Sequence, residues 1–394
     1  MKILYHHRVA SRDGQFVHIE AIISALRQQG HEVIIVAPTI ADATEFGDDG
    51  GWMSRLRHAL PGFISELLEF GYSFYDFIKL CLAIRKHRPE AIYERYNLFL
   101  PSGVWAKQLF KLPLILEVNS PLYKERAAYG GISLSMLAKW SELYAWRNAD
   151  HILPVTHVLA GYLYRAGVKP HNVTVIANGI DASQFNVTTH HERLPELADK
   201  MVIGFVGFCR EWHRLDLVVE TIAEMNNPNI VLLIIGIGSV LDDLQQKARE
   251  LNIEQQVRVT GLVSREAMPR WLAQIDIALQ PAVTPWCSPL KLIEYLATGK
   301  AVVAPDSPNI RELLVHESNA LLFEDGDNNQ MLEAIKRLAV EAEIKAEVQQ
   351  QAIQTIECRQ LTWHQNATKI AKLFEVLSRG QIKAVDEYSI KSSV

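Results

Sequence analysis

The chain has 394 residues, too many for one typical hydrophobic core, and this length suggests two domains of roughly 150 to 200 residues each. Hydrophobic residues make up 48% of the chain and charged residues 22%, which is ordinary for a globular protein. The formal net charge of -5 offers no basic surface to nucleic acid, so we expect no nucleic-acid partner.

The cysteine and hydropathy patterns indicate a cytoplasmic protein. The four cysteines lie far apart, with neither the spacing of metal ligands nor a dense disulfide pattern; they are Cys81, Cys209, Cys287 and Cys358. The N-terminus lacks the long apolar segment of a secretory signal, and no window approaches about 18 consecutive apolar residues. We therefore expect a cytoplasmic chain that does not span a membrane.

Short apolar runs typical of buried strands recur along the chain and alternate with helical patterns. The first series comprises residues 2–5, 33–37, 91–94, 114–118 and 151–155. After a polar loop at 178–200, a second series follows at 202–207, 230–236, 257–261, 275–281 and 301–305. Strands that alternate with helices are typical of parallel sheets covered on both faces. We predict an α/β protein with two doubly wound, Rossmann-like domains facing a cleft.

The expected domain boundaries follow from the polar loop between the two series. We expect an N-terminal domain at 1–180 and a C-terminal domain at 181–361. The amphipathic pattern at about 362–378 predicts a helix that returns to the first domain, and we expect 379–394 to be a flexible tail.

Glycines follow the predicted strands of the second domain, at the edge where doubly wound sheets bind ligands. Gly236 and Gly238 form a G-x-G pair without the third glycine of the dinucleotide fingerprint, so hydride transfer is poorly supported. Gly207 and Gly261 follow other strands in the same way. Two interpretations remain: close approach to a phosphate group, or simple tight turns.

The segment "SPLKLIEYLATGKAVVAPD" gives the sharpest indication of a site. Pro289 suits the first turn of a helix, whose unpaired amides, with Lys291 beside them, would attract a diphosphate. Glu294 lies about one turn further on, where a carboxylate can accept hydrogen bonds from ribose hydroxyls. The alternative is an exposed i,i+3 pair of Lys291 with Glu294, which would be structural only.

Four segments resemble the retaining, GT-B type glycosyltransferases of family four, and together the likeness covers nearly the whole chain. They are "RDGQFVHIEAIISALRQQGHEVIIVAP", "VTVIANGIDASQF", "LLIIGIGSVLDDLQQKARELNIEQQVRVTGLV" and, as the most specific, "SPLKLIEYLATGKAVVAPDSPNIRELL". The resemblance implies transfer of a sugar from a UDP- or GDP-sugar to a glycan or lipid-linked acceptor. It implies retention at the anomeric carbon, synthesis of cell-surface polysaccharide or glycolipid, and no cofactor. It also implies that the N-terminal domain binds the acceptor and the C-terminal domain binds the nucleotide-sugar.

The resemblance also implies roles for individual residues. Glu294 matches the second Glu of the family's E-x7-E motif and would bind the ribose. The backbone near Ser288, Pro289, Leu290 and Lys291 would hold the diphosphate, and Gly14 would let the first loop approach it. Gly261 and Leu262 would lie beside the base.

Three departures from the family pattern concern the same site. Trp286 replaces the first Glu of the motif, so stacking on its indole would have to substitute for contacts to the sugar hydroxyls. Phe208 and His213 stand where the family has a phosphate-binding Arg and Lys, and Arg210, His213 and Arg214 could supply that charge or form a solvated loop. Asn119 replaces a His of the first domain and could position substrate but not titrate.

On this interpretation catalysis needs charge stabilisation of the leaving diphosphate and alignment of the two substrates, with Lys291, Arg210 and Asn119 as the candidate catalytic residues. No metal is expected, because "EDGD" at 324–327 precedes a helix, where Asp and Gly are usual cap and turn residues. For Glu117, a paired structural carboxylate and a catalytic role are both open. His6 and His7 are either ligands in the cleft or one buried and one exposed residue.

The segment at about 52–78 mixes aromatic residues with Arg55, Arg57 and His58. It either contacts the inner face of a membrane peripherally or packs between helices of the first domain. Two other functions of the same architecture stay open: an epimerase or phosphorylase, and a non-catalytic sugar-binding or scaffold protein.

Overall fold

The computed structural model describes residues 1–9, 14–38, 60–185 and 191–378. The loop 10–13, the residues Trp52, Arg55, Arg57 and His58, and the tail 379–394 lie outside the described residues. Packing divides the chain into unit 1, which contains Met1–Ala177 and the C-terminal part from Trp363, and unit 2, which contains Asn178–Thr362. The assignment of these units to acceptor and donor stays a prediction.

Unit 1 is built on a parallel sheet of five strands in the order β2-β1-β3-β4-β5. The strands are β1 (Lys2–His6), β2 (Glu32–Val36), β3 (Ala91–Arg95), β4 (Leu114–Val118) and β5 (His151–Pro154). The helices are α1 (Gly14–Gln28), α2 (Gly62–His87), α3 (Ser102–Phe110), α4 (Leu122–Tyr129), α5 (Ser135–Asn148) and α6 (His157–Arg165), with α13 (Trp363–Ser378) from the end of the chain. Every residue of β3, β4 and β5 is buried, as expected for parallel strands covered on both faces.

The packing of α1 against α13 ties the C-terminal helix to unit 1. Helix α1 buries its apolar face, including Ile19, Ile22 and Leu26. Gln29 Nε2 donates hydrogen bonds to the His364 carbonyl at 2.8 Å and to Thr368 Oγ1 at 2.9 Å. The C-terminal helix therefore completes the fold of the unit that contains the N-terminus.

Unit 2 has a parallel sheet of six strands in the order β11-β10-β9-β6-β7-β8. The strands are β6 (Met201–Val206), β7 (Ile230–Ile235), β8 (Val257–Val259), β9 (Ile277–Leu279), β10 (Ala301–Pro305) and β11 (Leu321–Phe323). The helices are α7 (Leu215–Met225), α8 (Leu241–Glu250), α9 (Met268–Leu272), α10 (Leu290–Ala297), α11 (Asn328–Val340) and α12 (Ala342–Cys358).

The strand order of unit 2 reverses between β6 and β9, which makes the space beyond their carboxyl ends the topological switch point of this sheet. The prediction of an α/β fold with two doubly wound, Rossmann-like domains is confirmed, and all ten predicted strands are present. β11, a strand of three residues, was not predicted from the sequence. In the described part of the chain, no helix combines the length and apolar character needed to cross a bilayer.

Candidate functional site

The loops that follow β6 and β7 at the switch-point edge of unit 2 are joined by direct backbone contact. Cys209 N–H donates to the Ile237 carbonyl at 2.7 Å, and Gly207 N–H donates to the Ile235 carbonyl at 2.9 Å. A Cβ on Gly238 would lie 2.0 Å from the Cys209 carbonyl oxygen, and one on Gly236 would lie 2.0 Å from that of Gly207. The G-x-G pair is therefore required by the approach of two loops to each other, not by a tight turn alone.

Lys291, in the first turn of α10, brings a positive charge to this edge. Its ammonium lies 3.8 Å from the centre of the Phe205 ring. A Cβ on Gly207 would lie 3.2 Å from Lys291 Nζ, so glycine at 207 makes room for the side chain. Burial lowers the pKa of Lys291 to about 8. Among the residues described, none forms an ion pair with Lys291.

His213 packs at the same place but supplies no charge. Its ring lies 5.0 Å from that of Phe205, centre to centre, and its Nδ1 accepts a hydrogen bond from the Arg210 backbone N–H at 3.2 Å. Burial, then the charges of Lys291 and Arg210, lower the pKa of His213 to about 3. The expectation that His213 adds positive charge is corrected: the ring is neutral, and the accepting Nδ1 leaves the hydrogen on Nε2.

Of the two arginines in this loop, Arg210 is the candidate for binding an anion. Its guanidinium carbon lies 4.6 Å from the centre of the Phe208 ring and 5.1 Å from that of Trp212. Arg214 instead pairs with Asp216 at 3.4 Å. Phe208, which departs from the family pattern, thus supports a neighbouring cation by stacking.

The loop before α10 is fixed by two asparagine side chains that the sequence did not reveal. Asn178 Nδ2 donates to the Ser288 carbonyl at 2.6 Å, and the Asn178 backbone N–H donates to Ser288 Oγ at 3.3 Å. Asn309 Nδ2 donates to the carbonyls of Thr284 and Cys287 at 3.1 and 2.9 Å. These bonds hold the backbone that presents the first turn of α10.

Pro289 immediately precedes α10 and does not belong to its first turn, which corrects the expected helix start by one residue. The helix begins at Leu290, and Leu292 N–H donates to the Pro289 carbonyl at 3.2 Å. Helical geometry leaves the amides of Leu290 and Lys291 without acceptors inside the helix. Their N–H groups are therefore donors at a positive helix end.

Glu294 is buried and contacts Arg265 in the loop after β8. Burial raises the pKa of the Glu294 carboxyl, and the positive charge of Arg265 opposes that rise. The alternative of an exposed Lys291–Glu294 pair is wrong, because the carboxylate is buried and its ionic partner is Arg265. Arg265 was not predicted as part of the site, since nothing in the order of residues places position 265 beside 294.

The remaining donor-side candidates differ in exposure. Gly261 adopts a φ of 72°, and among the described residues no heavy atom beyond its two chain neighbours lies within 4 Å of the position that a Cβ would take there. Leu262 beside it is 54% exposed. Both lie in the loop that also carries Arg265. Trp286 is only 4% exposed, so the indole face expected to stack on a sugar is not open in this structure.

The candidates in unit 1 are Gly14 and Asn119. Gly14 is the first residue of α1. Asn119 Nδ2 donates to Glu117 Oε1 at 2.5 Å, and the same carboxylate accepts from Tyr93 Oη at 2.6 Å and from Arg95 at 2.5 Å. His18 Nε2 lies 3.0 Å from Glu117 Oε2.

Glu117 is therefore a paired carboxylate of the interior. Its burial favours a raised pKa, but the charges of His18 and Arg95, with the hydrogen bonds of His18 and Tyr93, outweigh burial and lower the pKa of Glu117. Arg95, at the end of β3, is a partner that the sequence did not indicate. The same carboxylate orients the side-chain amide of Asn119.

Both adjacent histidines are buried, contrary to the expectation of one buried and one exposed. His6 lies between Asp76 and Glu94, at 2.8 Å from each carboxylate. His7 Nδ1 accepts from Val9 N–H at 3.2 Å, and burial lowers the pKa of His7 to about 4. His6 is thus charged within an acidic pair, whereas His7 is neutral.

The acidic loop at 324–327 caps a helix. Asp327 precedes α11, and its Oδ1 accepts from the Gln330 N–H at 3.0 Å, as expected for a cap residue. Within the residues that the structure covers, no three His, Cys, Asp or Glu side chains are grouped so that they could hold a metal ion.

Two family models match the chain. One, described as "Glycosyl transferases group 1", matches residues 200–341 in unit 2. The other, described as "Glycosyltransferase Family 4", matches residues 12–184.

The curated relatives have low sequence identity to this chain, but they align with more than half of it. The alpha-monoglucosyldiacylglycerol synthase of Streptococcus pneumoniae is 22% identical over 323 residues, which cover 79% of this chain and 72% of that protein. The amylovoran biosynthesis glycosyltransferase AmsK of Erwinia amylovora is 25% identical over 225 residues, 53% of this chain and 54% of the relative.

Solved structures show the same fold. HepE of Anabaena in complex with UDP is 17% identical with a TM-score of 0.72, covering 95% of this chain and 100% of that chain. Sucrose-phosphate synthase of Thermosynechococcus elongatus is 16% identical with a TM-score of 0.74, covering 96% of this chain and 100% of that one. The matches to both units, the sheet order and the curated relatives lead to one conclusion: the chain belongs to the group 1 glycosyltransferases, has the GT-B fold and is a glycosyltransferase.

Proposed function

We propose that the protein transfers a sugar from a UDP- or GDP-sugar to a glycan or lipid-linked acceptor, with retention of the anomeric configuration. The product belongs to a cell-surface polysaccharide or a glycolipid. The observation that carries the proposal is Lys291: a half-buried ammonium without an ionic partner among the described residues, at the first turn of α10 and at the switch point of unit 2.

The leaving diphosphate takes its stabilisation from groups already in place. The Lys291 ammonium and the Leu290 and Lys291 amides attract phosphate oxygens, and a preorganised charge in a partly buried site acts more strongly than it would in water. Arg210 adds a second positive charge. The neutral His213 donates from Nε2, as an uncharged hydrogen-bond partner.

The remaining assignments concern the nucleoside and the acceptor. Glu294 accepts hydrogen bonds from the ribose hydroxyls, and the exposed loop of Gly261 and Leu262 lies along the base. Ser288 and Pro289 act through the backbone that they fix. For unit 1 we propose that Gly14 admits the diphosphate and that Asn119 positions substrate.

Retention follows if the departing diphosphate accepts the proton of the acceptor hydroxyl on the face that it leaves. The protein then needs no nucleophilic side chain, and its contribution is alignment and charge stabilisation. We propose no metal in this step, since Lys291, Arg210 and the helix amides supply the positive charge.

The relatives support the nature of the substrates. Solved structures of HepE contain UDP, UDP with glucose, or UDP-glucose. The name of the Streptococcus pneumoniae relative specifies a glucosylated diacylglycerol. These similarities favour a UDP-sugar donor and a lipid-linked acceptor here.

Thermal unfolding with millimolar UDP, GDP, ADP or CDP, each with and without EDTA, tests the donor. Ligand at about 100 times its Kd stabilises the fold by roughly 2.7 kcal/mol. A selective rise in melting temperature that EDTA does not change identifies the base and supports a metal-independent site. The absence of any rise with all four nucleotides contradicts the proposed donor site.

We also propose that unit 1 contacts an anionic membrane through α2 (Gly62–His87), part of the expected segment at about 52–78. This helix buries its acidic residues instead of exposing them to solvent; they are Glu66, Glu69 and Asp76. Each has a partner inside the unit. Glu66 accepts from Ser133 N–H at 2.8 Å, Glu69 pairs with Arg126 at 2.7 Å, and Asp76 pairs with His6 at 2.8 Å.

The opposite face of α2 is apolar and exposed to solvent. Phe74 and Ile78 are 58% and 57% exposed, Leu82 is 61% exposed, and Phe63, Leu67, Leu68 and Tyr75 lie open as well. The neighbouring Trp105 and Trp140 extend this surface, with ring centres 5.3 Å from Phe74 and 6.0 Å from Phe70. Phe77 packs against the Trp105 ring of α3 with the ring centres 5.9 Å apart, so part of the segment contacts a neighbouring helix of the unit.

The charge of the exposed face favours an anionic bilayer. All three carboxylates of α2 are buried, while Arg85, Lys86 and the following Arg88 are exposed. Exposed apolar and aromatic side chains with cations and without carboxylates are typical of helices that lie at a lipid interface.

Flotation with vesicles of phosphatidylcholine, with and without phosphatidylglycerol, tests this contact. We expect binding to the anionic vesicles that weakens with salt, and a loss of at least tenfold in the double variant Phe74→Ser, Ile78→Ser. Val340→Ser, at a position 81% exposed in unit 2, is the matched control. Equal binding by the double variant and the control would contradict the proposal.

A further inference from the structure

Arg265 connects three segments of unit 2 that are distant in the sequence. It lies in the loop between β8 and α9, and its Nη1 donates to Oε1 of Glu294 on α10. Its guanidinium carbon lies 4.4 Å from the centre of the ring of Phe185, a residue that follows the "NGID" segment in the sequence. The aromatic contact fixes the guanidinium on one side and the carboxylate fixes it on the other.

Only one oxygen of the Glu294 carboxylate is used in this contact. Arg265 occupies Oε1, and no described residue donates a hydrogen bond to Oε2. A carboxylate with one oxygen anchored keeps the orientation of the other, which remains an acceptor for a ligand hydroxyl.

Two segments of the described chain bring charged or titratable groups close to Glu294. Arg265 faces it from the loop after β8, and Lys291 and Tyr295 lie on the same helix. Burial favours the protonated form of the Glu294 carboxyl, while Arg265 and then Lys291 favour the ionised form. Loss of Arg265 would therefore leave a buried carboxyl that protonates more readily.

We propose that Arg265 is a positioning residue for nucleotide binding: it orients the Glu294 carboxylate and keeps it ionised, so that Oε2 accepts the ribose hydroxyls. This inference rests on the proposed donor site. In this proposal Arg265 does not contact the nucleotide. Its role therefore differs from that of Lys291 and Arg210, the cations that we propose bind phosphate.

A double-mutant cycle on the full-length protein tests the proposal, with the Kd of the preferred nucleoside diphosphate as the readout. We expect Glu294→Gln and Arg265→Gln each to weaken binding about tenfold, as for a lost hydrogen bond to a charged group. The double variant should bind no more weakly than Glu294→Gln alone, because Arg265 acts through Glu294. Arg270→Gln, an exposed residue of α9, is the control for the change in charge.

Two further measurements separate positioning from a general loss of structure. With a 2′,3′-dideoxynucleoside diphosphate, the effect of Arg265→Gln should fall to within about twofold, since the hydroxyls that Glu294 binds are gone. With the ordinary nucleotide, Arg265→Gln should lose more affinity between pH 8 and pH 6 than the wild type does, and Arg265→Lys should restore part of it.

The outcomes are distinct. If the losses of the two single variants multiply in the double variant, or if the dideoxy analogue is affected as strongly as the parent nucleotide, Arg265 contacts the ligand directly and the proposal is overturned. If the wild type binds none of the four nucleoside diphosphates, the proposed donor site fails first and this inference fails with it.

Discussion

The ammonium of Lys291 lies 3.8 Å from the centre of the Phe205 ring, at the carboxyl end of β6. This contact explains how a lysine without an ionic partner in the described chain is held in a half-buried position, because the electron-rich ring face compensates part of the lost hydration. The compensation is incomplete, and burial still lowers the pKa of Lys291 to about 8. The site therefore holds a cation whose charge depends on pH near neutrality.

The first prediction follows from that pKa. Affinity for the nucleoside diphosphate should fall as the pH rises through about 8, because the ammonium loses its proton and its attraction for phosphate. Lys291→Arg should keep the charge and show no such fall, whereas Lys291→Met should bind at least about tenfold more weakly at pH 7. Titration calorimetry between pH 6.5 and 9.5 measures this. A fall of the same size in Lys291→Met would assign the titration to another group.

The strands and helices could be predicted from the sequence, but the contacts between side chains of different strands, helices and loops could not. Lys291 and Glu294 were placed on a helix at the carboxyl edge of the second sheet because apolar runs and an X-Pro step are local signals. Arg265, Asn178 and Asn309 were missed, since each acts on a residue at least 22 positions away. Only tertiary packing brings such partners together.

Charge states were the other quantity that the sequence did not supply. His213 was expected to add a positive charge, and its burial beside Lys291 makes it neutral. The G-x-G pair was consistent with a turn or with phosphate approach, and the structure shows contact between two loops. In both cases the deciding fact is the distance to a neighbour from another strand.

The second prediction concerns Glu117, whose role the sequence left open. Glu117→Gln should destabilise the protein by about 3–5 kcal/mol, because it leaves the buried Arg95 without its carboxylate. Glu333→Gln, which removes an exposed carboxylate paired with Lys336 at 3.1 Å, should change stability by less than about 1 kcal/mol. Urea unfolding measures both. Unchanged stability with abolished turnover in Glu117→Gln would instead indicate a catalytic carboxylate.

The third prediction concerns the contact between the β6 and β7 loops. In Gly238→Ala the new methyl group would meet the Cys209 carbonyl oxygen at 2.0 Å and the Cys209 nitrogen at 2.6 Å, so the backbone must move. We expect a loss of about 1–3 kcal/mol and weaker nucleotide binding. Gly71→Ala, in α2 with no atom within 4 Å of the added carbon, should gain roughly 0.5–1 kcal/mol. Stabilisation by both substitutions would show that the loops separate easily.

The fourth prediction concerns His6, which bridges the buried carboxylates of Asp76 and Glu94. Burial alone would lower its pKa, but the two carboxylates outweigh burial and raise the pKa of His6 from 6.5 to about 10. A folded-state pKa above the unfolded value contributes stability that is complete below pH 6.5 and is lost as the pH rises towards 10. His6→Gln should therefore cost about 3–5 kcal/mol at pH 6 and progressively less at higher pH.

Melting temperatures of the wild type and His6→Gln at pH 6, 8 and 9.5 give this difference directly. His7→Gln is the matched control, because the pKa of His7 lies at about 4 in the folded chain and the ring stays neutral there over this range. The wild type should lose stability relative to His6→Gln as the pH rises from 8 to 9.5, while its difference from His7→Gln stays constant, because His7 is then neutral in the folded and in the unfolded chain. A constant difference from His6→Gln would mean that the ring is neutral in the fold and that the acidic pair, not the imidazole, carries the proton.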